Sequence, residues 1–147
     1  MPGDSVQDPD LAEAVFGLAQ RLMALEAPIL DAAGVSMWEY AILTVLSRDG
    51  ALSQVELSRR TGRDTTRLGK HLSELQSRGL ISREQQSSDA RRRTATLTSA
   101  GQTAQIELRT AIRSAEDQLL SRLLPGNDAE TLRRTLTSIF RADKIVP

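Results

Sequence analysis

Between residues 53 and 93 the chain carries helix start and stop signals so closely spaced that few local architectures fit them. Ser53-Gln54-Val55-Glu56 has the capping-box form: the serine oxygen takes the backbone N–H three residues on, and the glutamate reaches back to the serine N–H. The short helix it opens carries Val55 and Leu57 and stops at Thr61-Gly62, where glycine can take a left-handed turn. Asp64 caps a second helix almost at once. Its Leu68, Leu72 and Leu75 recur at i, i+4 and i+7, which puts them on one stripe, and Arg78-Gly79-Leu80 ends it. Two short helices joined by a tight glycine turn predict a helix-turn-helix.

Beyond Gly79 the helical period is lost. Residues 80–84 and 94–98 are strand-like, and 85–93 between them are polar throughout, which predicts a β-hairpin with a long basic tip. On the N-terminal side, Leu11, Val15, Leu18, Leu22, Leu25 and Ile29 form one helical stripe. Pro28 is expected to kink or fray that helix before Gly34 closes it. Ser36-Met37-Trp38-Glu39 repeats the capping box and opens a helix ending near Gly50. On the C-terminal side, Thr98 can cap a helix over 99–124 with Ile106, Leu108, Ile112, Ala115, Leu119 and Leu123 on its apolar face. Pro125-Gly126-Asn127 breaks it, and an amphipathic helix over 128–142 presents Leu132, Leu136, Ile139 and Phe140. The expected fold is mainly α with a small β-hairpin wing, a winged helix-turn-helix flanked by long helices at both ends.

A chain of 147 residues fits one domain. No window approaches the apolar run that a membrane span needs, and the first ten residues carry acids where a signal peptide would be basic, so a cytoplasmic protein is expected. With no cysteine and one histidine, thiolate or histidine-rich metal centres, disulfides and thiol redox switches are excluded. No nucleophile-base set and no phosphate-binding glycine loop is present, so no enzymatic activity and no cofactor are expected. The net charge is zero, but segment 53–93 holds ten Lys/Arg against five Asp/Glu and the rest of the chain has the opposite surplus. Positive charge concentrated in one central stretch suits a polyanion.

The order of elements, together with specific residues, resembles the multiple-antibiotic-resistance regulator (MarR) family over about residues 11–140. The residues that carry the resemblance are the leucine-ending second helix, Arg78-Gly79-Leu80-Ile81, Arg83, Asp89-Ala90-Arg91-Arg92 and Leu97-Thr98-Ser99-Ala100-Gly101, in this order and at the family's spacing. The resemblance implies a single domain over 1–147. A DNA-binding lobe would span 36–98, and a helical dimerisation region 8–33 and 99–147. It implies a homodimer built from the first helix and the last two, with Leu11, Val15, Leu132 and Leu136 at the seam. The implied function is a DNA-binding transcriptional regulator, most often a repressor, released by a small aromatic or phenolic effector.

A helix of this size fits the major groove of double-stranded DNA, where Thr65, Thr66, Arg67 and Lys70 lie off the leucine stripe. Arg67 is the expected base reader because a guanidinium grips guanine through two parallel hydrogen bonds, while Thr65 and Lys70 could serve bases or phosphates. In the hairpin tip, the resemblance implies that Arg91 enters the minor groove with Asp89 orienting it. Arg92 and Arg93 are placed to reach flanking phosphates. Phe16, Met37, Trp38 and Tyr40 are candidate lining residues for an effector pocket, against the alternative that they are ordinary core. The competing function is a winged-helix module whose basic face binds an acidic protein; a site-dependent affinity that falls steeply with salt distinguishes DNA binding from it.

Overall fold

The computed structural model describes residues 7–85 and 93–142. Among these, six helices and three short strands follow in the order α1 (Leu11–Ala32), α2 (Met37–Asp49), β1 (Leu52–Ser53), α3 (Gln54–Thr61), α4 (Thr65–Ser77), β2 (Ile81–Gln85), β3 (Arg93–Leu97), α5 (Ser99–Leu123) and α6 (Asp128–Ala142). None of these helices by itself is long and apolar enough to cross a membrane.

The helix starts lie where local chemistry places them. Ser36 Oγ accepts from Glu39 N at 3.1 Å while Glu39 Oε2 accepts from Ser36 N at 3.1 Å. Ser53 and Glu56 make the same reciprocal pair at 3.2 and 2.7 Å, and the bonds from Ser53 hold the Glu56 carboxyl below its ordinary range. Asp64 and Thr98 each cap through one bond of 3.0 Å, from Arg67 N and Gly101 N. α1 continues through Pro28 to Ala32, and Gly34 then turns the chain at φ +67.

The strands form one antiparallel sheet in the order β1-β3-β2, with Ile81 opposite Leu97, Gln85 opposite Arg93 and Leu52 opposite Ala95. One expectation changes here, and one element is added. Gln85 and Arg93, expected in the hairpin tip, are the last cross-strand pair of the described sheet. The sequence pattern does not predict β1, because two residues carry no period; Leu52 is drawn in by burial, and pairing with β3 satisfies its backbone.

The core gathers Ile42, Leu43 and Leu46 of α2, Leu57 of α3, Leu68, Leu72 and Leu75 of α4, and Ile81 of β2, with Leu30, Leu108 and Ile112 from the long helices. On α3 only Leu57 is buried; Val55 is exposed. On α5 the buried line is Gly101, Gln105, Leu108, Ile112 and Leu120, whereas Ile106 and Leu123, expected on the apolar face, are exposed. The 4-3-4 spacing of the true line is hidden by a glycine and a glutamine, which an apolar count passes over.

A polar cluster joins the long helices. Arg133 of α6 contacts Glu116 and Asp117 of α5 at 3.0 and 2.7 Å, and Glu116 shares a hydrogen bond with Glu26 of α1. Burial first, then the bond to Glu116 and its charge, push the Glu26 carboxyl up to about 7. A carboxyl held above its unfolded value binds its proton more tightly in the folded state. Its contribution to stability is therefore complete below that unfolded value and is lost as pH rises through about 7. The melting temperature of Glu26→Gln is expected to exceed that of the parent at about pH 7.5 and to vary less between about pH 5 and 7.5. An unchanged pH slope in the variant would refute the assignment.

Candidate nucleic-acid interface

The turn between α3 and α4 is tied down by side chains. Gly62 adopts the left-handed conformation that ends α3, Ser58 Oγ donates to the Arg63 carbonyl at 2.5 Å, and Gln54 Nε2 donates to the Thr65 carbonyl at 2.7 Å. The first turn of α4 therefore leaves the turn in a defined direction. The cap bond from Arg67 N to Asp64, followed by the nearby guanidinium charges, lowers the carboxyl pKa of Asp64.

Leu68, Leu72 and Leu75 are fully buried under α4. At about 100° per residue, Thr66 and Lys70 fall opposite that stripe, Arg67 on one flank, and Thr65 in the open first turn. All four are exposed. Ser73 and Ser77 continue the outward face one and two turns beyond Thr66 and Lys70, at a spacing that is readable in the sequence. Arg67 Nε lies 3.5 Å from Asp64 Oδ2 with both side chains more than half exposed, so this pair is weak and leaves the guanidinium free to swing.

Beside α4, Arg83 of β2 donates to Gln76 Oε1 at 2.7 Å and to Ser73 Oγ at 3.3 Å, which fixes the start of the hairpin to the helix. Arg93 is exposed and is the first residue of β3. Asp89, Arg91 and Arg92 lie outside the described residues.

The four candidate pocket residues are not brought together within one chain. Phe16 is exposed on α1 beside a groove of about 600 Å³ that also involves Glu13 and Arg21. Met37 is exposed, Trp38 is half-buried beneath the Arg63 guanidinium at 4.4 Å from the ring centroid, and Tyr40 packs against the core. A different cleft, of about 580 Å³, opens between the end of α1, the start of α5 and Arg78 with Leu80.

Of the four seam candidates, Leu11, Val15 and Leu136 are exposed, Leu11 at 81 %, and Leu132 is half-buried. No described residue of α6 is buried, and Ile139 and Phe140 also face outward, with Arg48 over the Phe140 ring at 5.3 Å.

A model of the MarR family matches residues 33–92, which contain α2, the helix-turn-helix and the first wing strand. A probable transcriptional regulator from Pseudomonas aeruginosa is similar at 30% identity over 90% of this chain and 98% of its own, with a TM-score of 0.71. A mutant MarR from E. coli is 19% identical over 91% and 98%, with a TM-score of 0.82. The MarR family protein Rv2887 of Mycobacterium tuberculosis has been solved in complex with DNA, at 23% identity over 90% and 98% and a TM-score of 0.78. Its complex with salicylic acid gives 24% identity over the same shares and a TM-score of 0.74. No curated protein matches the sequence. The chain has the winged-helix fold of these regulators and belongs to the MarR family of transcriptional regulators.

Proposed function

We propose that this protein binds double-stranded DNA sequence-specifically as a homodimer, recognises a pseudo-palindromic operator and represses transcription without any catalytic step. The observation that carries this reading is the outward face of α4, where Thr66, Arg67 and Lys70 project from a helix anchored by three buried leucines. Arg67 reads base edges in the major groove, with Thr65, Thr66 and Lys70 on bases or phosphates. Arg91, oriented by Asp89, probes the minor groove, and Arg92 and Arg93 hold phosphates. The DNA-binding lobe is 36–98, and 8–33 with 99–147 form the dimerisation region.

Leu11, Val15 and Phe16 on α1 and Leu136, Ile139 and Phe140 on α6 are large apolar side chains left exposed, and a second copy is the occupant we infer. Leu11, Val15, Leu132 and Leu136 lie at that seam. Two α4 helices related by a two-fold axis meet successive major-groove faces about 34 Å apart. Rv2887 binds salicylic acid in its solved complex; for this protein a small aromatic acid is the proposed effector that releases DNA, with Phe16, Met37, Trp38 and Tyr40 as proposed lining residues. With DNA as its target, the protein acts in the cytoplasm.

In vitro selection from a genomic library is the direct test. Enrichment of a two-fold related site, with affinity falling steeply as salt rises, is expected. Failure to enrich any site would overturn the reading in favour of an acidic protein partner.

A further inference from the structure

α4 rests on its leucine stripe, and burial of such a stripe is non-directional: its packing leaves a helix's angle a spread of about 15–20°. The angle matters here. α4 has 13 residues and is about 20 Å long, so a tilt of about 10° about its middle moves each end by roughly 2 Å. That is about half the 3.4 Å rise of one base pair.

Two arginines, one before α4 and one after it, reach back to consecutive residues in the first turn of α2. Arg63 stacks its guanidinium on Trp38 at 4.4 Å from the ring centroid, and its Nε is buried without a hydrogen-bond partner, so the ring face is what this group engages. Arg78, at the C-cap of α4, places Nη2 2.6 Å from Glu39 Oε2 and Nη1 on the Gly34 carbonyl. Glu39 is itself buried and already engaged, since the same Oε2 accepts from Ser36 N in the capping box. It is a fixed post rather than a mobile surface acid. These ties act beyond the two ends of α4, where leverage against tilting is greatest, and both are directional in a way that leucine packing is not. Through Gly34 the second tie also refers α4 to the corner between α1 and α2.

We propose that Arg63 and Arg78 are positioning residues that form a two-ended clasp, fixing the angle of α4 against the α1–α2 corner and thereby the half-site spacing the dimer accepts. This rests on the DNA-binding reading above. Neither residue needs to touch DNA for it.

The test is selection on a library in which the half-site found for the parent is held constant and the spacer between two copies varies. The full-length parent is expected to enrich one spacing. Arg63→Ala, Arg78→Ala and Trp38→Leu are expected to enrich the same half-site bases but to spread over neighbouring spacings, with the share at the parent's spacing falling about fivefold. Trp38→Phe keeps a ring under Arg63 and is expected to retain the parent's spacing. Arg78→Lys reaches one partner instead of two and is expected to fall between. Should an alanine variant fail to fold, Glu39→Gln carries the same expectation as Arg78→Ala with the shape of the site kept. A purely structural role would lower melting temperature and total binding with the spacing unchanged, and that result overturns the clasp alone. Failure of the parent to enrich any DNA overturns the DNA-binding reading and the clasp with it.

Discussion

Gly101→Ala is expected to destabilise the protein by about 3 kcal/mol or more, because it overpacks a backbone-to-backbone contact. For a domain of this size that lowers the melting temperature by roughly 10 °C. A Cβ on Gly101 would lie 1.9 Å from the Leu80 carbonyl oxygen and 2.9 Å from its carbon. Neither neighbour can swing aside, since the Leu80 oxygen also accepts from Thr98 N at 3.1 Å, and Thr98 Oγ1 donates to the Gly79 carbonyl at 2.6 Å while capping Gly101 N. The first turn of α5 and the start of β2 would have to part. Thermal unfolding followed by circular dichroism checks this, and a melting temperature within a degree or two of the parent would refute the contact.

Arg67→Ala and Arg91→Ala are each expected to weaken operator binding by about 1–3 kcal/mol, a loss of roughly tenfold or more. Only Arg67→Ala should also relax base preference, because a guanidinium in the major groove meets a distinct donor and acceptor pattern at each base pair, whereas the minor groove distinguishes little beyond A·T from G·C. The contact with Asp64 at 3.5 Å does not oppose this role: an exposed pair contributes little and exchanges readily for a base edge. Fluorescence anisotropy on the selected operator and on single-base variants measures both effects. Unchanged affinity in both variants would reject the groove assignments, and equal loss across all base variants for Arg67→Ala would make Arg67 a phosphate contact.

Helix α4 is legible in the sequence because everything that makes it is local. The caps at Ser53, Asp64 and Thr98 act within three residues, and the leucine stripe repeats within two turns. The outward positions of Thr66, Arg67 and Lys70 follow from that stripe alone. Family membership is legible for a related reason, since Arg78-Gly79-Leu80-Ile81 and Leu97-Thr98-Ser99-Ala100-Gly101 are short segments in a fixed order. Periodicity wrongly puts Ile106 on the buried face of α5, because hydropathy ranks a glycine and a glutamine below an isoleucine, whereas packing ranks them by where a close approach or an enclosed amide is needed.

The start and stop of each helix in the 53–93 segment, and the inward face of α4, are therefore properties of the sequence by itself, since capping and periodicity need no partner beyond the next turn. Tertiary structure decided which distant groups meet. It paired β1 with β3 across more than forty residues, set Gly101 against the Leu80 carbonyl, joined Glu26 to Glu116 and brought Arg63 and Arg78 to Trp38 and Glu39. Such contacts depend on how the elements stack once their apolar faces are buried together, and the spacing of residues along a single helix carries no record of that.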